Sequence, residues 1–385
     1  MNERSSSPSM GYAWLPGGVL STFSSLPDRM IVRGQGGRCW DQNDQDYIDF
    51  ICGYGPISLG HNCAEVNRAA IDQLEKGMIF PAHSPVQNQL SSKLQQLFPY
   101  TGGSLFLKTG SEAVAAAVRL ARAYTRKTKI IRCGFLGWHD SFVSPYSSWH
   151  LYEADPKPAR LIRGVPVETS APVLHWDGEN IQELAGLVRI NKNETAAIIL
   201  DPIQLREPLR ENLEMIRQIT QENGLLLILD EIKTGFRVSL QGVQGLYNLQ
   251  PDITVFSKAI ANGFPLAIVT GTKEIMDLIP EVRIMGTYNN ELMSLAAAVK
   301  TISILEQPGS IPWLWQVGAE LIQGINTILK RYGLLEHIQA VPYRWSCLPA
   351  LWFRQSSTLA QALQPKLQPI LAAQGVLLLL NHPNF

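Results

Sequence analysis

The chain has 385 residues, 45% apolar and 17% charged, which is enough for two or three structural units with a sizeable core and excludes a disordered or fibrous protein. Thirty-three basic residues balance thirty-three acidic ones, so no overall field favours nucleic acid or an anionic membrane. The five cysteines (Cys39, Cys52, Cys63, Cys133, Cys347) are odd in number and contain no C-x-x-C pair, which argues against a disulfide framework and a zinc ribbon and fits a reducing cytoplasmic setting.

Residues 1–30, rich in Ser, Pro and Gly, read as an irregular arm, and no apolar stretch of a secretory signal follows Glu3 and Arg4. A short alternating segment at 47–50 predicts a strand entering the fold. From there to about residue 275, helical windows at 111–124 and 210–223 are interspersed with apolar runs at 105–107, 129–131, 197–200, 225–229 and 253–256. Strands without a polar face, alternating with helices, predict a mostly parallel sheet covered on both sides, with ligands at the carboxyl ends of its strands. Helical windows at 290–305 and 311–332 follow, and then strand-like pieces at 351–353 and 376–380 flank a helix near 359–373, a second and smaller α/β unit. The longest apolar runs, 225–229 and 376–380, fall far short of the roughly 20 residues a membrane helix needs, so a soluble protein is expected.

Chemistry-bearing residues gather at the ends of these predicted strands. Thr109, Gly110 and Ser111 precede an alanine-rich helix, where two hydroxyls, a glycine and unpaired N–H groups suit a phosphate, although Ser111 serves equally as a plain helix cap. Asp230 and Glu231 close the run 225–229; an Asp there can keep a pyridine nitrogen protonated, or the pair can hold magnesium for a nucleotide hydrolase. The second reading requires G-x-x-x-x-G-K-[ST], and the stretch from Gly103 to Thr109 lacks the glycine before Lys108, so it fails. Lys258, just past the run 253–256, is either a desolvated amine able to form an imine or an ordinary solvated lysine. Gly286 and Thr287 precede another helix and could also meet a phosphate, while Trp138, His139 and Asp140 read as a loop-packing group rather than a catalytic His–Asp pair. No residues show metal-ligand spacing.

Taken in order, these pieces resemble the class III pyridoxal-phosphate-dependent aminotransferases, closest to the glutamate-1-semialdehyde 2,1-aminomutase branch. The similarity runs from Pro16-Gly-Gly-Val19 to about Leu305, and more loosely beyond; its core is D-E-I-K-T-G-F-R at 230–237, then Pro251-Asp252 and Lys258. The resemblance implies that Lys258 holds pyridoxal 5'-phosphate as a Schiff base, that Asp230 partners the pyridine nitrogen and that Ile232 packs under the ring. It further implies that Thr109, Gly110 and Ser111 hold the phosphate, helped by Thr287 from a neighbouring subunit, hence a homodimer with shared sites.

Three departures shape the substrate expectation. Phe135 stands where the family has a stacking tyrosine, which keeps the stacking and loses the hydroxyl. Asp201-Pro-Ile-Gln204 stands for E-P-V-x without the glycine-containing segment that follows it in the family, and Ser21-Thr22-Phe23-Ser24 replaces the S-P-V-R whose arginine recognises a carboxylate. The similarity also stops at Asn381-His-Pro-Asn-Phe385, earlier than in relatives, so the small domain is expected to be shortened and the aminomutase itself is disfavoured. The expected fold is the α/β fold-type I transferase, with an arm and part of the small domain at 1–45, a large cofactor-binding domain at 46–285 and the rest of the small α/β domain, made from both chain ends, at 286–385. The expected reaction is ping-pong transamination from an amino donor to an aldehyde or ketone acceptor, with an aminomutase or other carbanion outcome, or cofactor binding without catalysis, as alternatives.

Overall fold

A computed structural model describes residues 29–143, 164–205, 207, 209–380 and 382–385. Residues 1–28, most of the predicted arm at 1–30 and with it the Pro16–Val19 and Ser21–Ser24 motifs, lie outside the described residues.

Seven strands form the central sheet, in the order Gly103–Leu107, Ala267–Gly271, Ile253–Phe256, Leu226–Asp230, Thr195–Leu200, Lys129–Cys133, Val173–His175. Ala267–Gly271 runs antiparallel to both of its neighbours and the other pairings are parallel, so six strands point the same way. Every residue of Thr195–Leu200 and Leu226–Asp230 is buried, as a sheet covered on both faces requires. On one face lies the helix Gly110–Thr125. Its Ala113, Ala117 and Ala121 bring the helix backbone close to Ile228, Val255 and Val269. On the other face the helices Ile181–Asn191 and Leu209–Asn223 pack Leu184, Leu213 and Ile216 against Ile198, Leu227 and Leu229.

The strands at 103–107, 129–133, 195–200, 226–230 and 253–256 fall where the apolar runs predicted them, the last without change and the others with ends moved by at most two residues. Ala267–Gly271 and Val173–His175 were not anticipated. The first follows Gly263 and Pro265 so closely that it reads as part of a turn; the second has three residues, too few to show a period.

A smaller sheet joins distant parts of the chain. Ile31–Gln35, Arg38–Asp41 and Asp46–Asp49 pair antiparallel in sequence order, and Val376–Leu377 adds to Asp46–Asp49 in parallel, with Val376 opposite Ile48. Only two residues of the predicted strand 376–380 enter this sheet. The hairpin Ile338–Tyr343 and Trp345–Phe353 supports the helix Ser310–Arg331, whose Gly318 rests against the Ser346 carbonyl; a Cβ there would lie 1.8 Å from that oxygen. Among the described residues no helix is long and apolar enough to cross a membrane.

Candidate active site

The carboxyl ends of the parallel strands bring most of the sequence-predicted residues to one edge. Leu226–Asp230 and Ile253–Phe256 are hydrogen-bonded neighbours with Asp230 opposite Val255, so Lys258, three residues further, emerges on the same side as Asp230. Asp230 is 4% exposed, and the one hydrogen bond recorded to its carboxylate from the described residues comes from the Ile232 amide at 2.9 Å. Burial, and then the negative charge of Asp201, push its carboxyl up to about 7, against the pull of Lys233 and Lys258. Glu231 plays a different part. Its carboxylate turns into the protein, accepting from the amides of Val243 at 3.1 Å and Gln244 at 2.9 Å and from the Thr234 hydroxyl, so it fixes the loop after the strand rather than facing the site.

Lys258 keeps part of its residue surface open while its amine is surrounded by protein. Burial first, then the nearby cations Lys233 and Arg237, push that amine down to about 7. Its Nζ donates to the Tyr54 carbonyl at 2.8 Å. Tyr54 belongs to a loop in which Cys52, Gly53, Tyr54 and Gly55 have φ of 49°, 64°, 65° and 98°, and Lys258 itself has φ 49°. Non-glycine residues in the left-handed region cost free energy, and such strain gathers at functional sites. Sequence reading passed this loop over; the two glycines in C-G-Y-G-P were its signal.

The phosphate candidates head the helix Gly110–Thr125. Thr109 caps it, and Glu112 returns a bond to the Thr109 amide at 2.9 Å, which leaves the Gly110 and Ser111 amides at the open end of the helix. A Cβ at Gly110 would lie 2.7 Å from Ile232 Cδ1, so a larger residue there would make the end of that side chain turn aside. That contact also puts Ile232 beside the helix start. Phe135 projects from the loop after Lys129–Cys133 with 37% of its surface exposed. Thr287 is exposed on the loop before the helix Leu292–Leu305. Lys108 pairs with Glu291 at 2.8 Å, in keeping with the failed phosphate-loop motif, and His139 packs edge-on to Trp138 at 4.9 Å in a tight turn.

Two charged residues that the sequence motifs contain were not read as a pair. Lys233 and Asp201, 4% and 1% exposed at their side chains, form a buried ion pair between the ends of adjacent strands, and Lys233 Nζ lies 5.3 Å from the centre of the Phe135 ring. A lysine in the third position after Asp230 was legible as a sequence feature; its burial was not.

These residues fit a pyridine ring carrying an aldehyde and a phosphate. The buried Asp230 carboxylate could partner a ring nitrogen, the Lys258 amine, pushed down to about 7, could bind the aldehyde, and the glycine-headed helix start could receive the phosphate. Among the described residues no cluster of His, Cys, Asp and Glu could hold a metal ion.

The family model for class-III aminotransferases matches residues 23–384. The chain is 31% identical over 355 residues to 3-aminobutyryl-CoA aminotransferase of Cloacimonas acidaminovorans, covering 89% of this chain and 81% of that protein. It is 33% identical over 327 residues to glutamate-1-semialdehyde 2,1-aminomutase of Archaeoglobus fulgidus, covering 82% and 77%. The fold superposes on an omega-transaminase from Sphaerobacter thermophilus with a TM-score of 0.83 at 24% identity, over 92% of this chain and 85% of that one.

Proposed function

The chain belongs to the class-III aminotransferase family, pyridoxal-phosphate-dependent enzymes of fold type I, and from that premise we propose that it moves an amino group, by a ping-pong sequence centred on Lys258, to an aldehyde or ketone whose reacting end bears no recognised carboxylate. The observation that carries this reading is the convergence of Lys258, Asp230 and the Gly110 helix start at one edge of the sheet. When bound, pyridoxal phosphate supplies an electron-deficient ring that draws off the electrons released when the substrate C–H bond breaks.

Each residue then has a defined part. Lys258 Nζ would hold the cofactor covalently and, once released, take the proton from the substrate carbon and return it, a task suited to an amine brought down to about 7. Asp230 would be the anionic partner of the ring nitrogen, and that cation would draw its carboxyl back below the value of about 7 that burial imposes. Ile232 and Phe135 would contact the ring, and Thr109, Gly110 and Ser111 the phosphate. Thr287, exposed in the single chain, would serve the phosphate of a partner subunit, which makes a homodimer the smallest active unit. Residues 46–285 would form the cofactor-binding domain, apart from the strand Asp46–Asp49, which pairs in the smaller sheet, and residues 1–45 with 286–385 the remainder. Five free thiols support a cytoplasmic setting.

An intramolecular amine shift on the same residues is the second reading, supported by the 33% identity to an aminomutase. Borohydride reduction and peptide mapping of the purified protein should leave the pyridoxyl mass on Lys258; finding it on another lysine refutes the assignment. Mixing the amino form of the cofactor in the enzyme with pyruvate, 2-oxoglutarate or simple aldehydes and timing the return of absorbance tests the acceptor. Faster return with the keto acids than with every neutral carbonyl overturns the proposed class.

A further inference from the structure

After the small-sheet strand Val376–Leu377 the chain returns to the catalytic edge in residues 382–385. Asn384, 1% exposed, fastens this segment. Its backbone amide and its Nδ2 both donate to the Pro349 carbonyl, at 2.8 and 3.3 Å. Its Nδ2 also reaches the Leu379 carbonyl at 3.1 Å, and its Oδ1 accepts from the Leu379 amide at 2.7 Å.

So fastened, the segment closes on the loop from Phe50 to Gly55. The Phe385 amide donates to the Phe50 carbonyl at 2.9 Å, Cys52 Sγ donates to the Phe385 carbonyl at 3.2 Å, and the His382 ring stands edge-on to Tyr54, 5.9 Å between centres. Gly55, at φ 98°, leaves the Phe385 ring its place, since a Cβ there would lie 2.8 Å from it. This is the loop in which residues 52–55 all have positive φ and the Tyr54 carbonyl accepts from Lys258. Backbone in that region persists only where its surroundings over-determine it, and the segment supplies such contacts. The centre of the Phe385 ring also lies 5.8 Å from Lys258 Nζ, where the ring takes space that water would otherwise fill.

We propose that residues 382–385 form a strap in which Asn384 is the clasp and Phe385 a positioning residue that keeps water from the Lys258 amine and seats the loop facing it. The inference rests on the reading of Lys258 as the cofactor lysine and adds what makes that lysine reactive, because an amine attacks an aldehyde only in its neutral form. Burial is the largest cause bringing Lys258 down to about 7; the cations Lys233 and Arg237 act with it, and Asp201 and Asp230 at the strand ends act against it. His382, on the strap itself, is pushed down to about 3 by burial, against the hydrogen bond it gives the Pro383 carbonyl and with the charges of Lys258 and Lys233, so it faces them uncharged. A ring attracts a cation only within about 6 Å, so at 5.8 Å Phe385 acts on Lys258 chiefly as cover, and its loss should raise the proton affinity of the amine.

The whole chain, freed of cofactor, is mixed with pyridoxal phosphate at pH 7 and at pH 10 and the rise of absorbance is timed, with borohydride reduction and peptide mapping to place the pyridoxyl group. An upward move of about one unit in the Lys258 midpoint cuts its neutral fraction at pH 7 about fivefold and leaves it unchanged at pH 10. Phe385→Ala should therefore slow capture about fivefold at pH 7 and not at pH 10, Phe385→Leu, which keeps an apolar cover, should restore most of the rate, and Asn384→Ala should repeat the pattern of Phe385→Ala. A Phe385→Ala rate equal to that of the unmodified chain at pH 7, or slowed alike at both pH values, overturns the proposal. Capture on Lys258 with an unmoved pH profile keeps the transfer reading and loses the strap; a pyridoxyl group found on another lysine refutes the transfer reading itself.

Discussion

Asp230, Glu231 and Lys258 each sit where burial disfavours the charged form. Asp230 and Glu231 are both pushed up to about 7, so between their unfolded values near 4 and pH 7 the folded chain binds more protons than the unfolded one. Their contribution to stability therefore falls as pH rises through that window. Lys258, pushed down to about 7, works in the opposite direction above neutrality, where the unfolded chain holds the extra proton and stability rises with pH. Asp230→Asn removes one of the carboxylates, so the cofactor-free variant should gain melting temperature relative to the unmodified protein at pH 8 and gain little at pH 4, while losing cofactor affinity. Equal shifts at both pH values would contradict the buried-carboxylate account. The Lys233–Asp201 pair gives a second residue-level expectation. Lys233→Met leaves Asp201 buried and unpaired and should cost about 3–5 kcal/mol in denaturant titration, whereas Lys233→Met with Asp201→Asn should recover most of it.

Among the elements, the helix Ser310–Arg331 contains two glycines with opposite expected behaviour. At Gly324 a Cβ meets nothing within 4 Å, so Gly324→Ala should stabilise by about 0.4–1 kcal/mol, as glycine replacement in a helix ordinarily does. At Gly318 the same change puts a methyl group against the Ser346 carbonyl, backbone that cannot turn aside, so Gly318→Ala should destabilise by roughly 1–3 kcal/mol. Parallel melting curves of the two variants check both. The buried strands were legible because each is a continuous apolar run, and the long helices because their apolar residues recur at helical spacing. Asp230, Lys258 and the Gly110 turn were legible because they punctuate those runs. The loop from Cys52 to Gly55 was not: its contribution is two carbonyls, to Lys258 and Arg237, and the backbone conformation that aims them leaves only glycines as a trace. Lys233 and Asp201 escaped because a charged pair is recognised as buried only when both strand ends are in place.

At the scale of the whole molecule, the loop carrying Thr287 exposes Met285 at 83% and Tyr288 at 64%, an apolar surface consistent with a partner subunit. Light scattering should give twice the chain mass, and Thr287→Val should leave that mass unchanged while weakening cofactor binding about fivefold, the worth of one hydrogen bond. A monomer with full cofactor occupancy would remove the basis for a shared site. The parallel pairing of Val376–Leu377 with Asp46–Asp49 has a consequence for biosynthesis. Chains elongate at roughly 5–20 residues per second, so the early strand waits on the order of tens of seconds for its mate to leave the ribosome. The loop that supplies the Tyr54 carbonyl to Lys258 follows that strand directly. A nascent chain therefore holds its lysine well before the carbonyl is fixed opposite it.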